Sequence, residues 1–273
     1  MEFLKIIFLA IAQGIAEFLP ISSSGHLLVL GDWFGFDAES NMQLNVILHA
    51  GTLLAILLFY FRKLISIIVE PQRRKVIVMV IAGSIPAGVV GVGLKVCGLD
   101  ELLFGYPLVA GAGFLITATL LLTVFGLPWK KLDCENSEAE ALEKMSLKQA
   151  FLIGCAQAVA ILPGISRSGS TISCGVFAKL SKTDAAEFSF LLAIPAIGGA
   201  TLLELLKIVK APVMPTGCEA LMLLIGFCVS AAVGYGALAG LIAMLRRGKL
   251  GWFAFYLYAA ACVVFSVEII KLF

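Results

Sequence analysis

AQGIAEFLPISSSGH at residues 12–26 returns as AQAVAILPGISRSGS at residues 156–170, aligned without a gap at an offset of 144. Seven of the fifteen positions are identical: Ala12/Ala156, Gln13/Gln157, Ala16/Ala160, Ile21/Ile165, Ser22/Ser166, Ser24/Ser168 and Gly25/Gly169. The two copies are the most polar stretches of two apolar halves. A polar element duplicated inside a hydrophobic chain points to one site built from two internal repeats.

The rest of the chain sets the class. Of its 273 residues 60% are hydrophobic and only 14% charged, and the mean hydropathy is +1.03; an ordinary soluble domain is about 25% charged. The expectation is an all-α polytopic membrane protein. A net charge of +2 gives no reason to expect nucleic acid as a partner. The seven cysteines form no CxxC pair and no Cys/His metal spacing, so they read as small packing residues. The apolar start runs straight into Gln13, Glu17 and the serine cluster without a convincing cleavage site, and no removable signal peptide is expected.

Six segments are long and apolar enough to span a bilayer: 43–61, 76–96, 105–127, 186–208, 220–245 and 252–270. Regions 1–34 and 147–180 are apolar but interrupted by the Gly/Pro/Ser motif. Each piece is too short to cross, which predicts two re-entrant helical hairpins, each a pair of half-helices meeting at a polar break. The expected organisation is a first repeat at 1–128, a charged cytoplasmic linker at 129–146 and a second repeat at 147–273. If both hairpins return to their own side, the basic stretches 62–75, 128–148 and 246–250 all fall on one face, which the positive-inside rule makes cytoplasmic. One hairpin plus three spans is an odd number of crossings. The halves are then inverted relative to each other, and their polar tips meet near mid-bilayer.

The tips hold the ionisable residues. Glu17 and His26 lie in the first, and Arg167 stands in the second where the first has Ser23. A charged side chain at mid-depth costs at least about 2.5 kcal/mol on insertion scales, so such groups pair or line a cavity. Ser22, Ser23, Ser24, Ser166, Ser168, Ser170 and Thr171 add hydroxyls. Half-helices beginning at each break aim backbone N–H groups into the same space, which favours an anion. Arg167 supplies a fixed cation matched to phosphate. Ser24 and Ser168 read equally well as helix caps. His49 reads as a packing or cavity-edge residue at the start of its span.

EFLPISSSGH at 17–26 and PGISRSGST at 163–171 closely resemble the two signature motifs of the bacterial undecaprenyl-diphosphate phosphatases of the bacitracin-resistance type. Order, spacing, length and span pattern match over essentially the whole chain. The resemblance implies a multi-pass enzyme of the bacterial cytoplasmic (inner) membrane. Such an enzyme hydrolyses undecaprenyl diphosphate, recycles the lipid carrier for peptidoglycan and other wall polymers, and depends on a divalent cation, Mg²⁺ or Ca²⁺. In the family's (E/Q)xxxE pattern this chain has Gln13 and Glu17, one helical turn apart on one face. The expected catalytic residues are Glu17, His26, Ser23 and Arg167. Arg167, Ser166, Ser168, Thr171, Ser22 and Gln13 are expected to bind phosphate, with Glu17 as the metal ligand and His26 as general acid or base. The nucleophile is either Ser23 or a water. Small-residue runs at 83–93 and 226–240 offer surfaces for a homodimer. The competing class is a transporter or flippase for an anionic lipid, which uses the same inverted-repeat site without hydrolysis.

Overall fold

The computed structural model describes residues 2–35, 38–99, 103, 105–126, 142–210 and 217–271. The described residues form helices and turns with no strand. In chain order the helices are α1 Glu2–Phe18, α2 Ser23–Phe34, α3 Ala38–Phe59, α4 Phe61–Val69, α5 Lys75–Val96, α6 Pro107–Leu121, α7 Leu147–Val159, α8 Arg167–Phe177, α9 Lys182–Lys210, α10 Gly217–Arg246 and α11 Trp252–Ile270. Five of the described helices are long and apolar enough to cross a membrane, and six if α3 and α4 count as one bent span. Residues 129–141 of the expected linker lie outside the described residues.

The two motif copies break their helices as the Pro and Gly positions require. α1 stops before Pro20, and α2 restarts with the Ser22 hydroxyl accepting from the Gly25 amide at 3.3 Å. α7 stops before Pro163, and α8 restarts with the Ser166 hydroxyl accepting from the Gly169 amide at 3.1 Å. Ser22 and Ser166 occupy equivalent repeat positions, so the repeat encodes its own helix start. The far ends of each pair also meet. Lys5 Nζ donates to the Phe34 carbonyl at 2.9 Å, and Gln149 Nε2 donates to the Ala178 carbonyl at 2.8 Å. These donors and acceptors are again 144 residues apart, so both broken helices fold back into hairpins of the same design.

The hairpins open at opposite ends of the bundle. α1 lies parallel to α10, with Ile6 against Gly226 and Gly14 against Gly234. α7 lies parallel to α5, with Gly154 against Gly83 and Ile161 near Gly91. Each opening helix thus packs on the second long span of the other half, α1 on α10 and α7 on α5, through glycines that let backbones touch. Lys63 of α4 pairs with Glu187 of α9 at 2.8 Å, and Lys95 of α5 pairs with Glu204 of α9 at 2.8 Å. α5 and α9 therefore run together, against the direction of α3 and α10.

One segment departs from expectation. Residues 62–69, read as part of a basic loop, are helical: α4 bends from α3 by 65°. Phe61, Ile65, Ile68 and Val69 are exposed while Ile67 is buried. Apolar residues at helical spacing beside Arg62 and Lys63 make an amphipathic helix, which suits a membrane surface better than either a span or a loop. Outward-facing aliphatics such as Val78, Ile81, Ile85, Val89 and Val92 on α5 form the lipid-facing coat. The polar side chains collect inside.

Candidate active site

The two tips meet in the middle of the bundle. Gly25 packs against the Gly164 backbone, and Gly164 sits at φ +86 pressed on α6, where any Cβ would collide with the Ala110 carbonyl. Only glycine serves there, both for the left-handed conformation and for the approach. Thr117 of α6, fully buried, donates to the Gly164 carbonyl at 3.1 Å and accepts from the Ser166 amide at 2.9 Å. The Ser168 hydroxyl donates to the Leu19 carbonyl of the first tip at 3.2 Å. These contacts fix one tip against the other.

Between the tips lies a small, partly open cavity whose polar lining includes Glu17, Ser22, Ser23, Ser24, Ser166 and Arg167. Ser23 and Arg167 are the first residues of α2 and α8, so two helix N-termini face the same space. Glu17 is the hub. Its Oε1 accepts from Arg167 Nη2 at 2.8 Å. Its Oε2 accepts from the Ser23 hydroxyl at 2.6 Å and from Gln13 Nε2 at 3.0 Å. The first repeat supplies the carboxylate and the hydroxyl, and the second supplies the cation. Position 23 in one copy and 167 in the other thus hold unlike residues that complete one site.

Not every expected residue reaches the cavity. Thr171 turns back, donating to the Arg167 carbonyl at 2.7 Å and meeting the Ser189 hydroxyl at 2.6 Å. It braces the segment that carries Arg167. Ser168 is spent on the contact between tips. Gln13 is fully buried behind Glu17. His26 faces the other way. Its Nδ1 lies 2.8 Å from the Ser22 carbonyl and its Nε2 lies 2.8 Å from the Tyr256 hydroxyl, with the two rings stacked. A carbonyl only accepts, so Nδ1 carries the proton and Nε2 accepts from Tyr256. His26, expected as general acid or base, is bonded away from Ser23, which instead faces Glu17. His26 is held by Phe114 and Tyr256, whose rings pack against its own.

Two contributors, Ser189 and Thr117, were not singled out from sequence, and a third, His49, was read there only as a packing or cavity-edge residue. Ser189 receives Arg167 Nη1 on its carbonyl at 3.5 Å. Thr117 pins the second tip. His49 places Nε2 3.7 Å from Glu17 Oε2. Ser189 and Thr117 lie in ordinary span sequence, where one hydroxyl carries no signal. His49 is one of only two histidines, a signal that was available.

Whether a divalent cation fits can be asked of the donors. Among the described residues no three His, Cys, Asp or Glu side chains converge on a metal position. The Glu17 carboxylate is present, however, and beside it the Gln13 Oε1 is buried without a hydrogen-bond partner. A carboxylate with a spare amide oxygen suits a hard cation that takes most of its ligands from water and phosphate.

A family model described as bacitracin resistance protein BacA matches residues 6–263. An undecaprenyl-diphosphatase of Rhodopirellula baltica is 42% identical over 264 residues, covering 96% of this chain and 97% of the relative. Those of Carboxydothermus hydrogenoformans, 35% identical over 98% of both chains, and Parabacteroides distasonis, 36% identical over 99% of this chain and all of the relative, align as completely.

Proposed function

We infer that this chain, which belongs to the bacitracin resistance protein BacA family, is a membrane-embedded hydrolase that converts undecaprenyl diphosphate to undecaprenyl phosphate and inorganic phosphate. The activity recycles the lipid carrier and accounts for bacitracin resistance. The observation that carries the reading at the site is the Ser23–Glu17–Arg167 arrangement across the two tips. A hydroxyl bonded to a carboxylate, with a guanidinium beside both and two helix N-termini behind, is a phosphoryl-transfer constellation.

The mechanism follows from these residues. The diphosphate lies between the tips, where Arg167, the Ser166 hydroxyl and the N-terminal amides of α2 and α8 bind its oxygens. Ser23 Oγ attacks the terminal phosphorus while Glu17 takes its proton. The bond to the bridging oxygen breaks, and undecaprenyl phosphate leaves. Water then attacks the phosphoserine phosphorus, the bond to Ser23 Oγ breaks, Glu17 returns its proton to Oγ, and inorganic phosphate is released. Arg167 stabilises the equatorial charge in both steps. His26, held by Tyr256, orients the first turn of α2 that carries Ser23. A divalent cation, Mg²⁺ or Ca²⁺, neutralises phosphate oxygens when bound, and Glu17 with Gln13 is placed to hold it. We place the protein in the bacterial inner membrane with its basic end cytoplasmic. Gly88 and Gly93 of α5 and Gly236 and Gly240 of α10, which have open space beside them, offer surfaces for a homodimer. A flippase without hydrolysis is not favoured, because it leaves a serine hydroxyl bonded to a buried carboxylate without a task.

The test is phosphate release from undecaprenyl diphosphate by purified protein, with and without EDTA. Wild type releases phosphate only with metal, and Glu17→Ala and Arg167→Ala each lose at least about a hundredfold in kcat, as expected when a transition-state charge partner is removed. No release from folded wild type with metal present overturns the phosphatase reading.

A further inference from the structure

We propose that His49 is a ligand of the divalent cation, completing with Glu17 and Gln13 a three-sided site behind the phosphate cavity. The proposal rests on the phosphatase reading only for the identity of the metal's task, not for the site itself.

The orientation of the imidazole decides its chemistry. His49 Nδ1 lies 2.7 Å from the Asn45 carbonyl on the preceding turn of α3, so Nδ1 carries a proton, and the neutral ring presents the Nε2 lone pair. Nε2 stands 3.7 Å from Glu17 Oε2. The distance is too long for a hydrogen bond. It fits two ligands of one cation, because donors at about 2.1–2.4 Å from a shared metal stand about 3–4 Å apart. An imidazole whose other nitrogen is anchored on a backbone carbonyl is the usual form of a metal-bound histidine. The other histidine shows the contrast: His26 is anchored in the same way, on the Ser22 carbonyl, but its Nε2 is occupied by the Tyr256 hydroxyl.

Gln13 supplies the second observation. It is fully buried, its Nε2 donates to Glu17 Oε2, and its Oε1 has no partner. Rotating the amide by half a turn turns Oε1 toward Glu17 Oε2, the oxygen that His49 Nε2 also approaches, and moves the NH₂ to where Oε1 was. Oε1 gives up no hydrogen bond in that exchange. A cation between the three groups then replaces the single bond from Gln13 to Glu17. Three protein donors leave open positions for water and phosphate oxygens, as a cation that works on a diphosphate requires. The hydroxyl of Ser23 also bonds Glu17 Oε2, so metal and nucleophile share one carboxylate.

The experiment uses Mn²⁺ as probe on the full-length protein in detergent without substrate, read by pulsed electron paramagnetic resonance for nitrogen coupled to the metal. Wild type shows coupling to one imidazole nitrogen. His49→Gln, which keeps volume and polarity, loses that coupling and binds Mn²⁺ at least about tenfold more weakly. His26→Gln retains it. Glu17→Gln loses metal binding. Absence of nitrogen coupling in wild type, or its survival in His49→Gln, overturns the proposal and leaves His49 as a simple ion-pair partner of Glu17. Phosphate release measured on the same preparations separates the two readings. Release without nitrogen coupling sinks the His49 ligand alone, and nitrogen coupling without release sinks the phosphatase alone.

Discussion

At the residue scale the chemistry depends on one carboxylate with several claims on it. Glu17 Oε2 accepts from Ser23 at 2.6 Å, and Oε1 accepts from Arg167 at 2.8 Å. Removing one partner of a buried charge pair leaves the other uncompensated, at a cost of about 3–5 kcal/mol. Arg167→Ala is therefore expected to lower thermal stability as well as activity, and Arg167→Lys to recover stability better than activity, because ammonium lacks the planar fork. Differential scanning fluorimetry beside kinetics checks both. Ser23→Ala separates nucleophile from water. We expect kcat to fall by at least about a thousandfold with KM little changed, since the hydroxyl acts only in the transition state. A drop of less than tenfold assigns the attack to water.

At the element scale the site depends on how the tips are pinned. Thr117 bonds both the Gly164 carbonyl and the Ser166 amide from within α6. Thr117→Val keeps the shape but strands a buried donor and acceptor, each worth about 1–3 kcal/mol when unpaired. The expected result is a fall in melting temperature with a rise in KM, because Arg167 stands at the start of the helix that Ser166 caps. Unchanged stability would show that water replaces the threonine. The first tip carries strain of its own: Ser22 sits at φ 69, a conformation serine rarely adopts, whereas the equivalent Ser166 sits at φ −71. The second tip takes its left-handed step two residues earlier, at Gly164. The copies share their caps but not their turns, which is why Pro20 and Gly164 occupy the same repeat position.

At the scale of the whole molecule the hairpins open at opposite ends, and one end gathers Arg62, Lys63, Arg73, Arg74, Lys75, Arg246, Arg247 and Lys249. The positive-inside rule predicts that this end faces the cytoplasm. The exposed Cys97 and Cys218 lie at the other end, at the finish of α5 and the start of α10. A membrane-impermeant maleimide on intact cells should label single-cysteine proteins keeping Cys97 or Cys218. A cysteine introduced by Arg247→Cys should react only after permeabilisation. The reverse pattern would turn the molecule over in the membrane.

The sequence by itself determined the class, the repeat and the broken helices, because hydropathy, proline and serine caps act locally and leave a mark at fixed spacing. It also named Glu17, Ser23 and Arg167, since charge in an apolar stretch is conspicuous wherever it points. Tertiary structure alone decided which neighbours those groups meet. His26 and Ser23 are three residues apart on one helix face, yet tertiary neighbours hold them apart, Tyr256 taking His26 and Glu17 taking Ser23. His49 is 32 residues beyond Glu17 (49 − 17), and only the packing of α3 against α1 brings its ring to the carboxylate. α4 became a bent surface helix rather than a loop because its apolar residues share one face, a pattern masked by the basic residues among them. Local propensity is written in order along the chain, whereas proximity across helices depends on rotation and depth that no single segment specifies.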